Sequence, residues 1–102
     1  MLVMIRALDG LDAPTRRVAA LAAHLDFVAA EIECIRVAGP LLDAAGDKCG
    51  SLYLIEAADI AAAERWLLHD PYAQAGVWSH WEMAPFQAAA GTWVGGLSWQ
   101  RP

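Results

Sequence analysis

Residues Cys34 to Glu56 read CIRVAGPLLDAAGDKCGSLYLIE, and this stretch decides the fold. Its first part, Cys34 to Ala38, carries the β-branched Ile35 and Val37 and runs into Gly39-Pro40, where proline is expected to end an interior strand. Asp43, Gly46, Asp47, Lys48 and Gly50 supply a polar turn. Ser51-Leu52-Tyr53-Leu54-Ile55-Glu56 then reads as a second strand, so the segment predicts an antiparallel hairpin. With residues 34–39 opposite 51–56, Cys34 falls at the open end of the hairpin and Cys49 near its turn, on the order of 15–20 Å apart at strand rise. A disulfide spans only about 4.4–6.8 Å between Cα atoms, so the two thiols of one chain are expected to be unbonded to each other.

Working outward, Met1-Leu2-Val3-Met4-Ile5-Arg6 is an apolar run closed by the turn residues Asp9, Gly10 and Asp12, and it predicts a buried strand. After Asp12-Ala13-Pro14, an acidic cap candidate with an early proline, apolar residues recur at Val18, Leu21, Ala22, Leu25, Val28, Ala29 and Ile32. That spacing is an amphipathic helix, with His24 at the border of the apolar stripe. Downstream, Asp59 can cap a second helix from Ile60 to about His69, which Pro71 stops. From Gly76 to Phe86 the residues alternate, Val77, Trp81 and Met83 against Trp78, His80 and Glu82, until Pro85 interrupts them. The order β-α-β-β-α-β is the split βαβ arrangement, an α+β ferredoxin-like fold with a four-stranded antiparallel sheet and both helices on one face. Residues 1–88 form this domain. The tail, 89–102, is expected to be an extra strand or an arm onto a partner.

The composition is 58% hydrophobic with five Trp in 102 residues, more apolar surface than so short a chain can hide, and one sheet face is left uncovered. Pairing with a second copy, as a homodimer or a higher homo-oligomer, answers both. The net charge is −5, and Arg6, Arg16, Arg17, Arg36, Lys48, Arg65 and Arg101 are scattered, which argues against nucleic acid. No apolar run approaches the roughly 20 residues that cross a bilayer, and the start lacks a signal-peptide pattern, so a cytoplasmic location is expected. No His, Cys and acidic group has metal-ligand spacing and no glycine loop of phosphate-binding form follows a strand, so neither metal nor cofactor is expected.

His69 and His80 have adequate structural readings, the first in a helix's last turn and the second alternating with tryptophans on a strand. His24 is better placed for proton transfer, and Asp70, before Pro71 and Tyr72, stands where the chain turns from helix to strand. Several short pieces fall in order along the chain: His24-Leu25, Ala38-Gly39-Pro40, Gly50-Ser51, Asp70-Pro71-Tyr72 with Ala75-Gly76, and Pro85-Phe86. In this set the chain resembles the YciI-like family over about residues 1–88.

The resemblance implies a ferredoxin-like fold of the dimeric α+β barrel type, joined through sheet faces, with a paired His and Asp as the acid and base of a small pocket. Here these are His24 and Asp70, the carboxylate fixing the imidazole tautomer. Ser51 would add a hydroxyl, Gly39 and Pro40 would shape the wall, and Tyr72, within the matched motif, would be a further substrate-binding residue. Arg17, on the same helix face as His24, matches a basic position common in the family that would hold an anionic substrate. The sequence departs from the pattern at Leu21, where many relatives carry another basic residue. The implied function is a cofactor-independent enzyme acting by elimination or isomerisation on a small polar or aromatic molecule. The rivals are a dimer of the same fold that binds a small ligand or partner without chemistry, and a cofactor-free oxygenase-like protein.

Overall fold

The computed structural model describes residues 1–100 and places, in chain order, β1 (Leu2–Asp9), α1 (Ala13–Ala30), β2 (Ile35–Leu42), β3 (Lys48–Glu56), α2 (Ile60–Leu67), the single turn α3 (Pro71–Gln74) and β4 (Trp78–Pro85). The antiparallel hairpin forms, but one residue out of the expected register over most of its length. Pro40 rather than Gly39 stands opposite Ser51, with Gly39 opposite Leu52 and Ala38 opposite Tyr53, because the ladder is shifted by irregularities near Ile35 and Leu42. β1 pairs antiparallel with β3 on one side and with β4 on the other, giving the sheet order β2-β3-β1-β4 of the split βαβ arrangement. The α+β ferredoxin-like architecture is therefore present.

Two details of the strands differ from the sequence reading, each for a backbone reason. Proline does not end β2: the strand runs through Pro40 to Leu42. β2 is an edge strand bonded only to β3, so the missing N–H need cost no ladder bond. In β4, Leu8 faces His80 while Asp9 faces Trp78, so Ser79 is an extra residue at a bulge. The bulge turns Trp78 onto the face of Trp81 and Met83, where it is buried.

The core lies between the helices and one face of the sheet. Val3, Ile5 and Ala7 of β1, Tyr53 and Ile55 of β3 and Trp78 of β4 meet Ala63 and Leu67 of α2 and Tyr72 of α3. Asp59 caps α2 by accepting from the Ala62 N–H. Asp12 precedes α1 in a left-handed conformation and makes no side-chain cap bond, contrary to its reading as a cap.

α1 presents an unexpected face. Its buried residues are Ala13 and Arg17, followed inward by the half-buried Ala20, His24 and Phe27, whereas Val18, Leu21 and Leu25 are exposed. The helix is thus turned so that a stripe containing an arginine and a histidine faces the sheet, and the apolar residues that defined its periodicity face outward.

On the opposite sheet face, Leu2, Met4 and Leu8 of β1, Leu52 and Leu54 of β3 and Val37 and Leu41 of β2 are only half-buried. Beyond β4, the two-residue strands β5 (Ala90–Gly91) and β6 (Gly96–Leu97) pair with each other and not with the main sheet. Trp93 and Val94, between them, close a hollow of about 320 Å³ with Leu2, Val37 and Leu54 at one end of that face. The last two residues of the tail, Arg101 and Pro102, lie outside the described residues. Cys34 and Cys49 are free, and among the described residues no helix is long and apolar enough to cross a membrane.

The close approach of β3 to β1 yields a test. A Cβ on Gly50 would stand 2.5 Å from the Ala7 carbonyl oxygen, while one on Gly39 would meet nothing within 4 Å. Gly50→Ala is expected to lower stability by about 1–3 kcal/mol, and Gly39→Ala to change it by under about 0.5 kcal/mol, as measured by urea denaturation.

Candidate active site

Asp70 organises the site. α2 ends at Leu67, and Asp70, in extended conformation, caps α3 with Pro71 at the first helical position. Its carboxylate is wholly buried. It accepts from the Tyr72 backbone N–H at 2.9 Å, from the Tyr53 hydroxyl at 2.6 Å, and pairs with His24 Nδ1 at 2.8 Å. His24 and Asp70, 46 positions apart in sequence, thus meet directly. A carboxylate only accepts, so this arrangement puts the proton of a neutral His24 ring on Nδ1 and leaves Nε2 without a partner among the described residues. The ring lies flat on Tyr72, with centroids 3.7 Å apart and planes 2° from parallel. That stacking fixes the second rotational freedom of the imidazole.

Tyr53 is the third member of the cluster, and its phenol is pushed well above the ordinary tyrosine value. Burial is the main cause, followed by the hydrogen bond to Asp70 and the charge of that carboxylate. Trp66 and Trp78 meet its ring edge-on.

Arg17 lies one layer along α1, two turns before His24. Its Nε and Nη2 donate to the two Asp9 oxygens at 3.0 and 2.9 Å, and Nη2 also reaches the Gly50 carbonyl at 2.9 Å and Ser51 Oγ at 3.2 Å. Burial opposes the charge, but the hydrogen bond and charge of Asp9 outweigh it and the guanidinium pKa is raised. Ser51 Oγ accepts a second bond from Trp78 Nε1 at 3.2 Å, so its own proton is what it has left to donate.

These groups border a cavity of about 260 Å³. Arg17, His24, Tyr53 and Tyr72 line it from below, Ala38, Gly39 and Pro40 from β2, and Leu21, Leu25 and Val28 from the outward side of α1. All seven residues singled out from the sequence, Arg17, His24, Gly39, Pro40, Ser51, Asp70 and Tyr72, fall in or directly beneath this one place. The volume suits a single-ring molecule better than a drug-sized one. His69 bonds the Arg65 carbonyl and His80 the Ser79 hydroxyl, both away from it. Among the described residues no three His, Cys, Asp or Glu side chains gather as a metal site.

Asp9, Tyr53, Lys48 and Trp78 also belong to the site or its support, and the sequence reading did not single them out. Tyr53 was within reach of pattern, since it lies two residues beyond Ser51 on one strand face. Asp9 read as a turn residue, and Lys48 and Trp78 depend on bulges.

Comparison with known proteins follows this geometry. Residues 1–87 match the family model of the YCII-related domain. No curated protein matches the chain. Among solved structures, 5-chloro-2-hydroxyhydroquinone dehydrochlorinase from Burkholderia phenoliruptrix, in complex with 2,5-dihydroxybenzoquinone, is similar with a TM-score of 0.78 and 26% identity, over 89% of this chain and 96% of that one.

The Tyr53 environment predicts an alkaline signature. In the unfolded chain the phenol ionises near 10.0, whereas in the folded protein its pKa is raised. Its contribution is therefore whole below about pH 10 and is lost as pH climbs beyond it, at about 1.4 kcal/mol per pH unit for one proton. Urea unfolding of the native protein should show this slope above pH 10, and Tyr53→Phe should remove one proton's worth of it.

Proposed function

We propose, because the chain belongs to the YCII-related family, that it is a cofactor-independent enzyme in which His24 acts as general base and acid on a small planar molecule and Asp70 orients it. The observation that carries this is the contact of the buried Asp70 with His24 Nδ1, which leaves Nε2 as the ring's free nitrogen in a pocket-lining residue. Nε2 takes a proton from an acidic O–H or C–H of the ligand, and the positive charge gained by the ring lies against the Asp70 carboxylate. The same nitrogen can return the proton elsewhere on the ligand, as an isomerisation needs. In an elimination the electron pair left behind forms a double bond as the carbon–chlorine bond breaks, chloride departs as the anion, and the ring later gives its proton to solvent.

The neighbouring dehydrochlorinase supports the elimination form, since its name describes loss of HCl from a hydroxyhydroquinone and its complex holds a dihydroxybenzoquinone. The half-buried apolar face formed by Leu2, Met4, Leu52 and Leu54 supports a homodimer joined through the sheets. Sedimentation is then expected to give about twice the 11.0 kDa chain mass, and a monomer at micromolar concentration would remove the dimer.

Chloride release from 5-chloro-2-hydroxyhydroquinone tests the chemistry. We expect turnover by the native protein, and a loss of about 10²–10⁴-fold in a folded His24→Gln variant. A native protein that binds the compound and leaves it unchanged would instead support a non-catalytic ligand-binding dimer.

A further inference from the structure

Alternation along β3 hides one pocket residue. Ser51 and Tyr53 face the helices, so counting back in twos would bring Cys49 to that side and send Lys48 to the open sheet face. The ladder does otherwise: Leu41 faces Gly50, but Leu42 faces Lys48, so Cys49 is an extra residue at a bulge. The bulge returns Lys48 to the helix side, and Lys48 lines the cavity with Ser51 and Tyr53. Its ammonium has no hydrogen bond or ion pair among the described residues.

The other charges at the cavity are spoken for. Arg17 is held by both oxygens of Asp9, and Asp70 is buried beneath His24. The α1 side of the mouth is apolar, with Leu21 and Leu25. Among the described residues Lys48 is thus the one cation lining the cavity that has no counter-charge, and it shares that lining with the apolar Leu21 and Leu25 and with His24.

We propose that Lys48 is the anion-recognising residue of this cavity and that the Cys49 bulge exists to aim it there. The ligand class is a single planar ring bearing an anionic oxygen, such as the enolate-like oxygen of a hydroxyquinone or phenolate. This rests on the proposed function only for the location of the ligand. The charge of Lys48 attracts an oxyanion already present on the ligand and one that develops when His24 removes a proton, whereas a neutral ring gains little from it.

The probes are 2,5-dihydroxybenzoquinone, ionised at neutral pH, and hydroquinone, a neutral ring of similar size, with binding followed by tryptophan fluorescence. The native protein is expected to prefer the anion, and less so as salt is raised. Lys48→Met should weaken anion binding about tenfold and leave hydroquinone within about twofold, while Lys48→Arg should keep most of the preference. Lys48 is exposed, and an unchanged unfolding midpoint checks that the variants fold. No anion binding by the native protein, no preference over hydroquinone, or equal anion affinity in Lys48→Met would overturn the proposal. His24→Gln separates it from the catalytic reading: if it binds the anion as the native protein does but releases no less chloride, the base assignment fails and the Lys48 assignment stands.

Discussion

The buried carboxylate of Asp70 is the constraint on which the rest of this structure depends. A charge with no solvent exposure is tolerated only where hydrogen bonds replace water. Here they come from three separate elements: the His24 ring on α1, the Tyr53 hydroxyl on β3 and the Tyr72 amide at the start of α3. Each donor therefore fixes the position of its element relative to the others, and none can be shifted without leaving a buried acceptor short. What orients the proposed base also ties helix layer to sheet.

A second buried pair works beside it. Arg17 on α1 grips Asp9 at the end of β1 with two parallel bonds and touches the Gly50 carbonyl of β3. Together Arg17 and His24 determine which side of α1 faces the sheet, and the small Ala13 and Ala20 on the same stripe allow the helix to come close enough for the longer polar side chains to reach down. The helix is placed by polar contacts and its aliphatic residues are released to the pocket mouth and to the surface. Leu21 and Leu25 become walls of the cavity by this rotation.

The same rotation explains what could and could not be read from the sequence. Strand and helix order followed from β-branched runs, turn residues and proline positions, whereas the hairpin was legible as a pairing but not in its register, which the irregularities near Ile35 and Leu42 shift by one residue. The meeting of His24 with Asp70 was legible because short motifs in order along the chain resemble a family, which the match over residues 1–87 bears out. The inward face of α1 was not, since hydrophobic periodicity points to the wrong side when buried polar bonds orient a helix. Trp78 and Lys48 were also hidden. Each owes its face to one inserted residue, Ser79 or Cys49, and a bulge leaves no compositional mark in a single sequence. Pro40 misled for the opposite reason: its rule applies to interior strands, and whether a strand is interior is a tertiary fact.

The position of Pro40 on the outermost strand bears on how copies of this chain can meet. A sheet rim offers unpaired N–H and C=O groups that could recruit another rim and extend without limit. Along β2 that row is broken by a residue with no N–H, and the strand is irregular on both sides of it, near Ile35 and near Leu42. The far rim, β4, has its own irregularity at Ser79 and ends in Pro85. Neither border is a straight template for growth into ribbons, so in the proposed homodimer the broad apolar face, rather than a sheet rim, is the surface left for a second copy.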